Sequence, residues 1–286
     1  MCICKGSQGI WTGRDARSLS VIMRITVAKG CVVHGAWPEA LAKHVRVLIN
    51  PANDALIGPR RPAFPRGGPV PPQPPPGVDT SFRGWGGMDA GADMLYPAMT
   101  VDGLVHLQGG AELRAVLAAT APVLEERTNV EPLRCRVGQA VITSGAAGAA
   151  SRGPSGLPFD AIVHTVPPFW PRRGDEAERE EWAAALLSCY TTSFGLARDY
   201  FAQSSGAAAG AGLAIATPVL GAGARGAPFA PAAHVLAEAA LRFGAGRVED
   251  AGLALPMAAS LRVVVNAAGM SSEIAAMELA LKEAAA

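Results

Sequence analysis

Val47–Asn53 reads VLINPAN, an apolar run that stops abruptly on two amides flanking Pro51 and Ala52. Continuous apolar runs of this kind belong to strands buried on both faces. A strand ending in Asn-x-x-Asn therefore brings hydrogen-bonding amides to the edge of a sheet, which is where open α/β folds bind their ligands. Asn and Pro also end strands in ordinary turns, so this stretch gains its weight from the sequence around it.

Working outward, an apolar element spans Val21 to Val33, Pro38–His44 reads as a short helix and Val45–Ile49 as the buried strand. Helical periodicity covers Gly110 to Leu124, and Ala140–Ile142 and Ala161–Val166 read as strands. A helix is expected over Trp182–Phe201, a strand over Leu213–Thr217, a glycine-rich loop over Gly221–Gly226 and a helix over Pro231–Phe243. Leu261–Val265 reads as the last strand and Ser271–Ala286 as an amphipathic terminal helix. Strands alternating with helices imply a sheet covered on both faces. From about residue 59 to 100 the character changes. PVPPQPPP at Pro69–Pro76 favours extended polyproline II, and a loop this long reads as an insertion or a lid. The organisation expected is a flexible leader over residues 1–20, then one domain over 21–286 carrying that Pro/Gly-rich insertion. A weak organelle transit segment is the lesser alternative for the basic leader.

The chain has 286 residues, half of them hydrophobic, which is enough for a full core. A net charge of +1, with no basic stretch long enough to track a phosphate backbone, argues against nucleic acid as the main partner. No apolar run reaches the roughly 18 residues of a membrane span. Five scattered cysteines (Cys2, Cys4, Cys31, Cys135, Cys189) point to a reduced, intracellular protein, cytoplasmic or nuclear, without a disulfide framework. The five histidines are equally scattered and no Cys–His spacing suits zinc, so neither metal nor cofactor is expected. His164 lies within an apolar strand and reads as a satisfied core histidine. A monomer is expected.

Leu213–Leu241 reads as a strand, a glycine-dense turn and a helix. Glycines let backbone approach a ligand, and amides at a helix N-terminus attract anions, so the arrangement suits a phosphate or diphosphate. It lacks the Gly-Lys-Ser/Thr ending of a P-loop and the spacing of a Rossmann fingerprint. A tight strand-to-helix connection is the plainer alternative.

Six segments in order resemble the macro domain family, the ADP-ribose-binding α/β/α module. NPAND (Asn50–Asp54) resembles its Asn-x-Ala-Asn, and VDGLVHLQGGAEL (Val101–Leu113) its Val-Asp-Gly-x-x-His stretch. CRVGQAVITSG (Cys135–Gly145), AIVHTVPPFW (Ala161–Trp170), LLSCYTTSFGLA (Leu186–Ala197) and TPVLGAGARGAP (Thr217–Pro228) match further motifs. The resemblance implies a three-layer α/β/α sandwich around a central mixed sheet.

It also implies site roles. Asn53 would contact the distal ribose and Asp102 would orient or activate the attacking water. A rival is Asp89, in GGMDAGAD (Gly86–Asp93), which mimics the family's Gly-Gly-x-Asp better at its glycines. Asp102 is preferred because its match continues through His106, Gly110 and Leu113. ADP-ribose would further meet Cys31, Val32, Ala52, Val101, Gly103 and Asn266, with Gly221, Ala222, Gly223, Ala224, Arg225 and Gly226 around the diphosphate. Two departures stand out. Arg225 sits where many relatives carry an aromatic, and Gly30-Cys31-Val32 replaces a Gly-Asp-Ile whose Asp holds the adenine amino group. Phe82 and Trp85, in the insertion, are candidates to fold back as a lid.

Three functions follow. The first is hydrolysis of mono-ADP-ribosyl-protein or O-acetyl-ADP-ribose linkages. The second is a non-catalytic reader of ADP-ribose or ADP-ribosylated proteins. The third is an interaction scaffold offering its proline run to a partner.

Overall fold

Val45–Pro51 (β3) is a central strand with its five middle residues buried. In the computed structural model the described residues are 8–10, 23–33, 39–41, 43–58, 100–120, 133–144, 157–204, 212–244, 259–266 and 271–285. The remaining strands are β1 (Gln8–Ile10), β2 (Met23–Gly30), β4 (Ala140–Ser144), β5 (Ala161–Thr165), β6 (Leu213–Thr217) and β7 (Ala259–Asn266). They form one seven-stranded sheet in the order β1-β2-β7-β6-β3-β5-β4. The five inner strands run parallel, while β1 and β4 pair antiparallel at the two edges. The sheet is therefore mixed, as the sequence implied.

Side chains alternate across a strand with a period of two, and the core divides accordingly. Val47 and Ile49 pack with α2 (Glu176–Ser204), α3 (Phe229–Gly244) and α4 (Ser271–Ala285). Leu48 instead joins Val105, Leu113 and Leu117 of α1 (Val101–Ala118) on the opposite face. Ile162 and Ala216 share the α1 face, whereas Ala161, Val163, Leu213 and Ile215 face the other helices. The three layers of an α/β/α sandwich follow directly from this alternation.

Four elements differ from expectation. The helix foreseen over Gly110–Leu124 begins nine residues earlier, at Val101, and ends at Ala118. Thr100 caps it, its side chain accepting from the Gly103 N–H at 2.9 Å. Gly110 breaks the helix with φ 58 and ψ −152, a conformation open essentially to glycine alone, and this break interrupts the apolar periodicity that marks a helix in sequence. The helix expected over Pro38–His44 is reduced to a 3-10 turn, Glu39–Leu41. The helix expected from Trp182 starts at Glu176, its charged first turn obscuring the pattern. Lastly, Gln8–Ile10, within the segment read as a leader, pairs with Arg24–Thr26 of β2. Among the described residues no helix is long and apolar enough to cross a membrane.

Candidate functional site

All five parallel strands end at the same edge of the sheet, at Gly30, Asn266, Thr217, Pro51 and Thr165. β5 lies on one side of β3 and β6 on the other. The loops leaving these strands thus depart on either side of β3, the position where such folds place ligands. Helix α2 pins the loop leading into β4 and the loops leaving β5 and β6 with three consecutive residues. Ser188 Oγ donates to Gly138 O at 2.8 Å, and Cys189 Sγ lies 3.3 Å from Val166 O. The Tyr190 hydroxyl accepts from the Leu220 N–H at 2.7 Å and donates to Pro218 O at 3.5 Å.

The glycine loop after β6 is thereby anchored at Leu220, the residue just before Gly221. Within it, the Gly226 N–H donates to Gly223 O in a tight turn, and the Ala227 N–H donates to Gly221 O, closing the loop around that turn. Gly221 and Gly226 take φ values of 82 and 83, which a residue with a Cβ adopts only with strain. Gly223 is exposed, and Ala222, Ala224 and Arg225 are half-buried. Arg225 ties three loops together. Its Nη2 donates to Ala52 O at 3.1 Å, its guanidinium lies 4.2 Å from the centre of the Phe169 ring, and its carbonyl accepts from the Trp170 N–H. The amide-bearing turn after β3 and the glycine loop after β6 therefore meet directly.

Asn53 is half-buried and its amide serves its own turn. Oδ1 accepts from the N–H groups of Ala55 and Ile57, each at 3.2 Å, and Nδ2 donates to Gly58 O. The amide that reaches a carboxylate is the other one of the motif. Asn50, fully buried, donates from Nδ2 to Asp102 Oδ1 at 2.8 Å. Asp102 stands in the first turn of α1, 6% exposed, with His106 Nε2 at 3.5 Å from Oδ1 one helical turn on. Burial pushes the Asp102 carboxyl above its ordinary range, and His106, the Asn50 hydrogen bond and the Arg225 charge offset part of that rise. Beyond Asn50, His164 Nδ1 lies 3.1 Å from Asn50 Nδ2 and His164 Nε2 lies 3.0 Å from Thr143 Oγ1. Burial, then the neighbouring His106, pushes the His164 imidazole down to about 3, so it is neutral.

Of the other candidates, Val101 is half-buried and Gly103 buried in the first turn of α1, where the Gly103 amide is taken by Thr100. Ala52 is buried, and its N–H donates to Thr165 O. Cys31 is half-buried and Val32 buried just past β2, and Asn266 pairs with Gly30 at the end of β7. Asp89, Phe82, Trp85 and the proline run lie outside the described residues. Sequence reasoning assigned no role to Asn50, His106, Thr143 or Phe169. The signal for Asn50 was parity. It shares a face with Leu48, the face that α1 covers.

The macro domain family model matches residues 94–236, half of the chain. No curated protein matches it. Among solved structures, the chain is similar to a macrodomain from Oceanobacillus iheyensis with MES bound, at TM-score 0.52 and 18% identity, covering 97% of each chain. The same macrodomain with ADP gives the same values. A variant of it with ADPR matches at TM-score 0.52 and 18% identity, covering 96% of this chain and 98% of that one. At this identity those structures speak for the fold alone. With strand arrangement, glycine loop and family match in agreement, this chain belongs to the macro domain family.

Proposed function

We propose that this chain binds ADP-ribose across the carboxyl edge of the sheet and hydrolyses the bond joining its distal ribose to a protein carboxylate, or the related O-acetyl ester. The observation that carries the reading is Asp102, a carboxylate buried at that edge, held at one oxygen by Asn50 and pushed toward the neutral range by burial. Catalytic bases are made in this way, by environments that bring a carboxyl's pKa closer to working pH. The Gly221–Gly226 loop would carry the diphosphate on backbone amides, with the Arg225 guanidinium beside it. Cys31, Val32 and Asn266, toward the β2 side of the sheet, would meet the adenine, and Ala52, Val101 and Gly103 the distal ribose.

In the step envisaged, water attacks the anomeric carbon as the bond to the protein carboxylate breaks. The Asp102 carboxylate takes the water's proton, and the leaving group departs as a carboxylate anion. Contacts to the remote nucleotide would position the scissile bond.

The side chain of Asn53 favours a second reading. Its amide is engaged within its own turn, so the ribose contact inferred for it requires that turn to reorganise. A reader that takes its affinity from the nucleotide end needs no such change. Release of ADP-ribose from a mono-ADP-ribosylated protein tests the two, comparing the parent with Asp102→Asn and Asp89→Ala. Hydrolysis by the parent and a loss of about 10²- to 10⁴-fold in Asp102→Asn, the range for a general base, support the enzyme. Equal rates in both remove Asp102 from the mechanism. Calorimetric binding of ADP-ribose by a parent that releases nothing supports the reader.

A further inference from the structure

Thr143 of β4, His164 of β5, Asn50 of β3 and Asp102 of α1 form one buried line of side chains, each no more than 6% exposed. The proton positions along it follow from what each group is able to do. Asn50 presents its Nδ2 to Asp102 Oδ1, at 2.8 Å, and that carboxyl oxygen accepts. That same nitrogen faces His164 Nδ1 at 3.1 Å, and an amide nitrogen only donates. His164 Nδ1 is therefore the bare, accepting nitrogen. A neutral imidazole then carries its proton on Nε2, which points at Thr143 Oγ1, 3.0 Å away. The Thr143 hydroxyl passes its own hydrogen to Ile162 O at 3.4 Å. A backbone carbonyl takes up no proton, so the line ends there. It orients and does not conduct.

We propose that Thr143 and His164 are positioning residues, which fix the imidazole tautomer so that Asn50 keeps its amide nitrogen turned to Asp102 and holds that carboxylate in one orientation. The inference deepens the hydrolytic reading and rests on it for its effect on catalysis. Its logic is a parity of donors. If Thr143 loses its oxygen, the Nε2 proton has no acceptor. Moving that proton to Nδ1 sets it against the Asn50 nitrogen, donor to donor. Turning the amide to relieve that clash sets Oδ1 against the Asp102 carboxylate. Each relaxation along the line ends in a conflict at Asp102. His106 and Arg225 also act on Asp102, and His106 acts on His164 as well.

Thr143→Val keeps the shape of the side chain and removes the oxygen, and Thr143→Ser keeps the oxygen. Imidazole ¹⁵N shifts should show the Nε2–H tautomer at His164 in the parent and in Thr143→Ser, and its loss in Thr143→Val. The Asp102 carboxyl, followed by ¹³C NMR, should titrate at higher pH in Thr143→Val than in the parent. In the release assay kcat should fall on the order of 10- to 100-fold in Thr143→Val, the scale of a small misplacement of a reacting group. KM should stay within about twofold if remote contacts set binding. Thr143→Ser should restore the parent rate. An Nδ1–H tautomer in the parent overturns the proposal, whether or not the variants fold. So does an unchanged Asp102 midpoint in Thr143→Val. The two NMR readings need no turnover, so a parent that binds but does not hydrolyse defeats the hydrolytic reading while these readings still decide the proposal.

Discussion

Removing one oxygen atom from Tyr190 tests whether helix α2 holds the glycine loop in place. The ring is fully buried, with the Phe194 ring centre 6.0 Å away, so Tyr190→Phe preserves nearly all of the packing. What disappears is the acceptor for the Leu220 N–H, now 2.7 Å away, and the weaker 3.5 Å bond to Pro218 O. Leu220 is 1% exposed, so water does not reach its N–H in the oxygen's place. An orphaned buried donor costs about 1–3 kcal/mol, well above the net worth of an ordinary hydrogen bond. The long Pro218 bond adds little, and the total should remain within that range. For a chain of this size the melting temperature should fall by roughly 2–5 °C. The urea m-value should be unchanged, because the surface exposed on unfolding is the same. Since Gly221 follows Leu220 directly, the loop should also become less well organised, and ADP-ribose affinity measured by calorimetry should fall about 3- to 10-fold, equivalent to about 0.7–1.4 kcal/mol. A variant within about 0.5 kcal/mol of the parent would refute the anchoring argument. A destabilised variant with unchanged affinity would show that the anchor serves the fold and not the site.

Other perturbations address the rest of the edge. Gly226→Ala forces a Cβ onto a residue with φ 83, although its nearest neighbour, an Arg172 nitrogen, would lie at an acceptable 3.7 Å. Backbone strain alone should cost about 1–2 kcal/mol, and a stability equal to the parent by urea unfolding would contradict the loop geometry. Asn53→Ala removes three hydrogen bonds from the turn over residues 53–58 and should cost about 1–2 kcal/mol even without ligand, whereas a residue whose only role is ribose contact would leave thermal unfolding unchanged. Acid stability has a sign fixed by His164. Its folded pKa of about 3 lies below the ordinary 6.5, so unfolding takes up a proton between these values. Stability should fall as pH drops from about 6.5 toward 3, and His164→Gln should flatten that slope in unfolding experiments run across the range. Asp102 acts in the opposite sense. Its folded pKa is raised, so its contribution is greatest below the ordinary carboxylate value and is lost as pH rises through the folded one. Asp102→Asn should therefore stabilise the protein at neutral pH, by about 0.5–2 kcal/mol as is common at functional sites, and a destabilised variant would count against the buried-carboxylate picture.

The sequence revealed the sheet wherever strands were buried on both faces. VLI, AIV and LAIA are apolar without interruption, and each lies in a fully or almost fully buried parallel strand. It concealed elements whose stability comes from somewhere other than an apolar stripe. The first half of α1, VDGLVHLQGG, holds Gly103, Gly109 and Gly110, and its side chains at Asp102 and His106 are buried for polar reasons. Val101, Leu104 and Val105 begin an apolar stripe that Gln108, Gly109 and Gly110 cut short, and the capping signal Thr100 precedes a residue type that makes a poor helix former. Gln8–Ile10 is too short to show any pattern. It is an antiparallel edge strand whose placement is set by β2.

Site residues were legible as a neighbourhood, while the direction each side chain takes was hidden, for reasons of parity. Naming NPAND located the turn, but a motif does not say which amide points inward. Leu48 and Asn50 lie two residues apart on β3 and so share a face, as do Ile162 and His164 on β5 and Val141 and Thr143 on β4. All three faces look toward α1, whose first turn carries Asp102. A polar line from Thr143 to Asp102 was therefore implicit in the alternation as soon as the α1 face was assigned, and that assignment failed because the helix start was hidden. Asn53 lies beyond the strand, where the period of two no longer applies and local turn bonds decide its direction. A carboxylate buried on a sheet face needs a donor from that face, because an unpartnered one would be too costly to keep ionised. Asn50 is the residue with both the parity and the chemistry to supply it.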